Sequence, residues 1–376
     1  MRRSFQWLNG EWVDPANDHG DSRIRFATEM IQLLSEGTSA DFSTGRFFVQ
    51  EDECSSVLPE GSLLCFETGG TSGKPSRVIH SLDSLANAVD GLQARIGNDA
   101  ISSICCLPLS HLGGWMQVFR AIRTGGSVLF RHYRDLESEE MTTEAVGRWI
   151  SLVPTQLHRL VRSSRGRSNL RAFKGIFVGG AAISQRLASL CRKEDLPIWP
   201  TYGMTETAGM VTLLRADEFL NGREGVGRAL DHAELFLSRD HGKLVIRSQS
   251  LCLAKPPKFL SPGASFQTED FGEVDGEGYW KITGRGDRLI VCGGENLDPC
   301  LAESVILQTG MVEECVVVGV EDEEWGRVAK AYVTPSTVDL KVLERACKEK
   351  LPPINRPKQW SAVEALPLTE MGKPRI

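Results

Sequence analysis

A segment rich in glycine and hydroxyl groups, residues 68–75, has the strongest chemical signature in this sequence. It directly follows Ser62–Phe66, an apolar run that we interpret as a buried strand. Glycines let a backbone turn so that its N–H groups converge, and nearby hydroxyl and ammonium groups add donors. We therefore predict a cradle for a polyphosphate at Thr68, Gly69, Gly70, Thr71, Ser72, Gly73 and Lys74. A Walker A loop has a metal-binding hydroxyl where Pro75 stands here, and a surface turn without a ligand is the competing interpretation.

A second segment, Thr201–Thr207, follows another apolar run at residues 196–199. Tyr202 offers an aromatic face for a base, and the threonines offer a hydroxyl for a phosphate. The Glu206 carboxylate is a suitable ligand for Mg²⁺. A polar loop whose groups bond only to one another would have much the same sequence.

Three more charged residues complete the set of chemical candidates. Asp270, in the string Thr268-Glu-Asp270, and Arg285 could together hold the diol of a ribose, although a surface ion pair is the commoner explanation. Lys373, near the end of the sequence, is by itself a solvated tail lysine.

Composition limits the classes of protein to which the chain can belong. It has 376 residues, 41% of them hydrophobic, and 43 Lys and Arg against 49 Asp and Glu give a net charge of −6. This length allows two or three domains, and the mild acidity argues against binding nucleic acid through its phosphates. The ten cysteines form no C-x-x-C pair, so we expect reduced core thiols rather than a metal site. No run is long enough for a membrane span and no secretory h-region begins the sequence, so we expect a cytoplasmic protein.

The elements that must position these residues follow from hydrophobic patterning. Between residues 62 and 210, apolar strand-like runs alternate with helical segments, which predicts βαβ units and a largely parallel sheet. From about residue 210, short strands separated by Gly/Asp turns predict an antiparallel sheet, and after residue 288 strands and helices predict a compact α+β unit. We place the boundary in Gly284–Arg288. Residues 1–60 are interpreted as irregular, apart from an amphipathic stretch at Ile24–Leu34.

Taken together and in this order, the motifs resemble those of the adenylate-forming superfamily of acyl-CoA synthetases, carrier-protein adenylation domains and luciferases. The resemblance extends over residues 65–376 and includes the Gly179-Gly180-Ala181 turn. It implies an α/β fold: a large N-terminal domain, 1–286, of parallel-rich sheets with helices and a small β-rich subdomain, and a small α+β C-terminal lid, 287–376, with its hinge near Asp287.

The string Ser151-Leu-Val-Pro-Thr-Gln-Leu157 is similar to that of the o-succinylbenzoate–CoA ligases, the menaquinone-pathway branch. The resemblance implies ATP, Mg²⁺ and CoA, an aromatic carboxylic acid as substrate, no nucleic acid partner, and leaves a homodimer open. It assigns catalysis to Lys373, Thr205 and Glu206, with Glu206 also holding Mg²⁺. Further implied residues are, for ATP, the cradle with Gly180, Ala181, Tyr202, Gly203, Met204, Thr205, Asp270 and Arg285; for the acyl pocket, His111, Leu112, Thr155 and Gly179; and for CoA, Gly293, Gly294 and Glu295. The other six histidines carry no motif and are interpreted as surface or packing residues.

Two positions depart from the superfamily pattern. The usual Pro-Lys-Gly after the cradle is Pro75-Ser76-Arg77, so one cation is missing or displaced to Arg77, and Glu269 replaces the glycine of Thr-Gly-Asp. Three alternatives stay open: another aryl- or acyl-CoA synthetase, an enzyme that loads a carrier protein, and an inactive nucleotide-binding relative.

Overall fold

A computed structural model describes residues 4–8, 11–13, 39–41, 46–48, 63–68, 76–109, 111–239, 242–256, 258–261, 263–288, 290–292, 295–322 and 326–367. The strands of the first half are β1 (Ser4–Leu8), β2 (Glu11–Val13), β3 (Ser39–Asp41), β4 (Arg46–Phe48), β5 (Leu63–Thr68), β6 (Ser76–Ser81), β7 (Ser103–Cys105), β8 (Ser127–Phe130), β9 (Trp149–Leu152), β10 (Gly175–Val178), β11 (Ile198–Met204) and β12 (Gly209–Leu213). Those of the second half are β13 (Arg228–Ala229), β14 (Ala233–Leu237), β15 (Lys243–Ser248), β16 (Ala254–Lys255), β17 (Lys258–Phe259), β18 (Ser265–Val274), β19 (Trp280–Arg285), β20 (Ile290–Cys292), β21 (Glu295–Leu297), β22 (Glu314–Asp322), β23 (Gly326–Thr334) and β24 (Gln359–Ala362). The helices are α1 (Leu82–Ile96), α2 (Leu112–Thr124), α3 (Met141–Glu144), α4 (Pro154–Leu160), α5 (Ser164–Ala172), α6 (Gln185–Lys193), α7 (Ala216–Leu220), α8 (Pro299–Gln308) and α9 (Leu340–Lys348).

The largest sheet has the strand order β13-β12-β11-β10-β9-β7-β8-β1-β2. Its five central strands, β11 to β8 in that order, run parallel, as the sequence predicted, and the outer strands on both sides are antiparallel. Successive strand side chains point to opposite faces, so both faces of a buried sheet must be covered. Ile176 and Val178 pack with apolar residues of α4, α5 and α6, whereas Cys105 and Val128 pack with those of α1 and α2.

Two further sheets complete the part of the molecule before residue 286. One has the order β17-β16-β6-β5-β3-β4, and the other is an antiparallel sheet of β14-β15-β18-β19, which confirms the antiparallel unit predicted after residue 210. The prediction that residues 1–60 are irregular is wrong for β1 to β4, since each of these short strands completes the edge of a larger sheet. The amphipathic stretch Ile24–Leu34 lies outside the described residues.

The last part of the chain has its own apolar core. The β20-β21 hairpin and the β22-β23-β24 sheet pack against α8 and α9 around Leu297, Ile306, Val317 and Leu343. This is the α+β unit that the sequence predicted. The cysteines of the described residues are free thiols, most of them buried, as expected for core thiols. Among the described helices, none is long and apolar enough to cross a membrane.

Candidate nucleotide and acyl site

Most of the predicted site residues follow the carboxyl ends of the central parallel strands. Parallel strands end at one edge of a sheet, and ligands of open α/β sheets bind at that edge. His111 follows β7, Thr155 follows β9, Gly179 follows β10, and Tyr202 lies near the end of β11. The topology therefore brings the predicted acyl-pocket and nucleotide residues to the same side of the sheet.

The predicted phosphate segment joins β5 to β6. The two strands form an antiparallel hairpin in which Thr68 pairs with Ser76, so residues 69–75 connect its ends. Thr68 ends the strand that we predicted before the cradle, whereas Gly69, Gly70, Thr71, Ser72, Gly73 and Lys74 lie outside the described residues. The hydrophobic pattern predicts a helical segment around Leu82–Leu92 as the next element, but β6 comes first, and it places Arg77 opposite Glu67.

Tyr202, Asp270 and Arg285 form one connected group. The Tyr202 hydroxyl donates to Asp270 Oδ2 at 2.5 Å, and Arg285 Nε lies 3.2 Å from Asp270 Oδ1. The Asp270 side chain is 3% exposed, so the competing interpretation of a surface ion pair is wrong for the carboxylate, although the Arg285 side chain is 44% exposed. Burial, and then the neighbouring Asp270 charge, raise the pKa of Tyr202 well above its ordinary value. A carboxylate oxygen is the kind of acceptor that a ribose hydroxyl requires.

The segment Thr201–Thr207 is only partly a turn, because β11 continues through Met204. The strand pairs with β12 across a bulge between Tyr202 and Gly203. A Cβ on Gly203 would lie 1.9 Å from the Gly209 carbonyl oxygen, so only glycine permits this close approach. Residues Thr205–Thr207 then form a 3-10 turn that ends at Ala208, whose φ of 53° is left-handed. The chain thus reverses sharply between β11 and β12, and Glu206 sits inside the reversal.

Glu206 is buried, with its side chain 9% exposed, and Lys255 Nζ lies 2.6 Å from Glu206 Oε1. Lys255 is on β16, which pairs with β6, so a second sheet supplies this cation. No group of three or more His, Cys, Asp or Glu side chains suited to a metal occurs among the described residues. Mg²⁺ is commonly held by one or two carboxylates together with water and substrate phosphates, and Glu206 fits that mode of binding.

His80, which the sequence analysis interpreted as a surface or packing residue, is fully buried beside Glu206's turn. Its Nε2 donates to the Thr205 carbonyl at 2.7 Å, and its Nδ1 lies 2.9 Å from Ser84 Oγ. Burial lowers the pKa of His80 to about 4, against smaller opposing effects of the Thr205 bond and Glu206. Neither His80 nor Lys255 lies in a recognisable motif, because their partners are 125 and 49 residues away in sequence.

The predicted acyl-pocket residues surround the ends of β7, β9 and β10. His111 is the half-buried N-cap residue of α2, and Leu112 is buried in its first turn. Thr155, half-buried, is the second residue of α4, and Gly179 donates its N–H to the Leu152 carbonyl. Gly180 has φ 82° and is exposed, as is Ala181.

The predicted hinge and CoA residues belong to the last part of the chain. Asp287 lies in the 3-10 turn Gly286–Arg288 between β19 and β20. Glu295 begins β21, whereas Gly293, Gly294 and Lys373 lie outside the described residues. A cavity of about 700 Å³ opens in this part, and its lining includes Lys348, Arg356, Lys358 and Trp360.

Comparison with known protein families matches both parts of the chain. Residues 28–253 match the AMP-binding enzyme family, and residues 302–373 match the AMP-binding enzyme C-terminal domain. The chain belongs to the AMP-binding enzyme family. This membership confirms the predicted adenylate-forming fold, with a large N-terminal and a small C-terminal part.

Individual relatives and solved structures show which members of the family the chain is similar to. The chain is 28% identical to the 2-succinylbenzoate–CoA ligase of Listeria innocua over 93% of this chain and 76% of that protein. It is 31% identical to the enzyme of the same name from Listeria monocytogenes over 81% of this chain and 67% of that one. It is also similar to o-succinylbenzoate CoA synthetase from Bacillus subtilis in complex with its acyl-adenylate, with a TM-score of 0.69 and 26% identity over 82% of this chain and 67% of that one. The same B. subtilis enzyme in complex with ATP and magnesium has a TM-score of 0.68 and 25% identity, over 83% of this chain and 68% of that one.

Proposed function

We propose that this family member is a 2-succinylbenzoate–CoA ligase that works in two steps through an acyl-adenylate. The observation that carries the proposal is that Tyr202, which is joined to Asp270 and Arg285, lies at the carboxyl end of the parallel strand β11, and that Glu206 lies in the turn directly after this strand. Glu206 suits a metal-bound phosphate, and the Tyr202–Asp270–Arg285 group suits a ribose. Relatives named as 2-succinylbenzoate–CoA ligases, and a similar structure bound to ATP and magnesium, support the choice of reaction.

The chemistry has to overcome the repulsion of two anions. A carboxylate does not react with a thiol at neutral pH, because its leaving group would be oxide. When the carboxylate oxygen attacks the α-phosphorus of ATP, a P–O bond forms and pyrophosphate leaves, which yields a mixed anhydride. The barrier is chiefly one of position and charge. The thiol of CoA then displaces AMP and forms the thioester.

The residues of this chain contribute binding and charge to these steps. Asp270 and Arg285 orient the ribose, the Tyr202 ring faces the base, and the Glu206 carboxylate would hold Mg²⁺. The metal, when bound, offsets the negative charge that gathers on the phosphates. His111, Leu112, Thr155 and Gly179 line the acyl pocket in this proposal.

The C-terminal part serves as a lid that turns about Asp287. In one position it brings the Lys373 ammonium to the carboxylate and the α-phosphate, and in the other Gly293, Gly294 and Glu295 line the path of the CoA thiol arm. The cavity with Lys348, Arg356, Lys358 and Trp360 offers cations and an indole face, which complement the phosphates and adenine of CoA. A cytoplasmic location and a homodimer belong to the proposal as predictions.

A panel of carboxylic acids tests the proposal. Pyrophosphate exchange into ATP reports the first step, and CoA-dependent AMP release reports both. We expect 2-succinylbenzoate to give the highest kcat/KM. Higher kcat/KM with another aryl or acyl acid would reassign the substrate, transfer only to a carrier protein would reassign the acceptor, and ATP binding without exchange for any acid would refute the activity.

A further inference from the structure

The turn that carries Glu206 is held through three consecutive carbonyl groups. His80 Nε2 donates to the Thr205 carbonyl at 2.7 Å, the Cys252 N–H donates to the Glu206 carbonyl at 2.8 Å, and Ser250 Oγ donates to the Thr207 carbonyl at 2.8 Å. Each donor comes from outside the turn. A backbone held at every carbonyl presents its side chains in one orientation.

The His80 ring is itself held in place by neighbouring side chains. The His80 ring is fully buried, and Phe66 packs edge-on against it at a ring-centroid distance of 6.3 Å. Because a carbonyl oxygen only accepts, Nε2 must carry the proton of the 2.7 Å bond. Ser84, on the first turn of α1 and 3% exposed, contacts the other ring nitrogen at 2.9 Å. The ring therefore ties the start of α1 to the reversal between β11 and β12.

We infer that His80 is a positioning residue that fixes the Thr205–Thr207 turn, so that the Thr205 hydroxyl and the Glu206 carboxylate meet the magnesium–nucleotide complex. The inference rests on the proposed function of Glu206. The ring itself does not touch the nucleotide. It acts by holding the Thr205 carbonyl, one bond away from the residue that meets the metal.

Two substitutions at this position separate a lost hydrogen bond from lost packing. His80→Gln keeps an N–H donor at about the reach of Nε2, whereas His80→Leu fills the space without a donor. His232→Gln is the matched control, since His232 is a half-buried histidine outside the turn, and burial lowers its pKa to about 4 as it does for His80. The primary measurement is the affinity of Mn²⁺, used in place of Mg²⁺, for the complex of each protein with ATP, followed by electron paramagnetic resonance.

We expect His80→Leu to weaken Mn²⁺ binding by tenfold or more, and His80→Gln and His232→Gln to change it by less than about threefold. Equal losses in the Leu and Gln variants, or no loss in the Leu variant, would overturn the inference. If His80→Leu does not fold, Ser84→Ala replaces it and should weaken Mn²⁺ binding by about two- to threefold, with no change overturning the inference. Pyrophosphate exchange by the wild-type protein is measured separately, so Mn²⁺–ATP binding without exchange refutes the proposed function and leaves the role of His80 tested.

Discussion

If Asp270 accepts hydrogen bonds from the ribose, removing its charge should weaken the binding of a nucleotide that carries the ribose hydroxyls more than the binding of one that lacks them. The perturbation is Asp270→Asn, which keeps the shape of the side chain. In the native protein one carboxylate oxygen is committed to Tyr202 at 2.5 Å and the other lies 3.2 Å from Arg285 Nε. An amide has a single acceptor atom, so Tyr202 and Arg285 then compete with the ribose for it.

The magnitude follows from the charge of the acceptor. A hydrogen bond to a charged group contributes about 1.5–3 kcal/mol, and the burial of the Asp270 side chain places the loss of one ribose bond in the upper part of that range. A loss of about 2–3 kcal/mol corresponds to a roughly 30- to 150-fold weaker affinity for ATP. Titration calorimetry with ATP and with 2′,3′-dideoxy-ATP measures it, since the second ligand lacks the diol.

The comparison of the two ligands decides the case. We expect dideoxy-ATP to bind the wild-type protein weakly and to lose little further affinity in the variant, because its contact with Asp270 is already absent. Glu269→Gln is the matched control: Glu269 is the preceding residue of β18, is exposed, and pairs with Lys243 at 2.5 Å. That variant should bind ATP as the wild type does. An equal loss for both ligands in Asp270→Asn would refute ribose recognition by this carboxylate.

Three other perturbations test the rest of the site. Lys373→Ala should raise the barrier to pyrophosphate exchange by about 3–4 kcal/mol yet leave thioester formation from a supplied acyl-adenylate intact. A parallel fall in the rates of both half-reactions would contradict the proposed role of the lid. Lys255→Met should destabilise the nucleotide-free protein by about 1–2 kcal/mol in thermal unfolding, a value discounted for the 38% exposure of Lys255, because Glu206 loses its partner. The same variant should need less Mg²⁺ for exchange, since an ammonium no longer competes for the carboxylate, and a higher requirement would contradict this. Lys348→Ala with Lys358→Ala should raise the KM for CoA at least tenfold by steady-state kinetics, with exchange unchanged, since ionic contacts to phosphate are lost; an unchanged KM would remove the cavity from CoA binding.

Elements that depend on interactions between residues close in sequence were predictable from short segments of the sequence. The sequence predicts Ser184 as the N-cap of a helix through Cys191, and the Ser184 hydroxyl accepts from the Leu187 N–H at the start of α6. The sequence also predicts a helix over Pro299–Gln308, and α8 has these bounds, with Asp298 as its N-cap. A cap and an apolar period involve residues within a few positions of each other, so the sequence displays them directly.

Elements that depend on close tertiary approach were missed. The sequence analysis did not predict α2, because the Gly113–Gly114 pair near its start has a low helix propensity. A Cβ on Gly114 would lie 2.2 Å from the Pro108 carbonyl oxygen, so packing against the preceding loop requires a glycine there. Here the contact overrides the propensity, and no local window contains that information.

The sequence alone determined the family, the alternation of strands and helices, and the candidate residues Tyr202, Glu206, Asp270 and Arg285. Only the tertiary structure decided which of them are buried, that Asp270 joins Tyr202 to Arg285, and that Lys255 and His80 hold Glu206 and its turn. The physical reason is distance along the chain. Motifs record the groups that the chemistry needs, whereas the charges and donors that orient those groups can come from any strand that folding brings alongside.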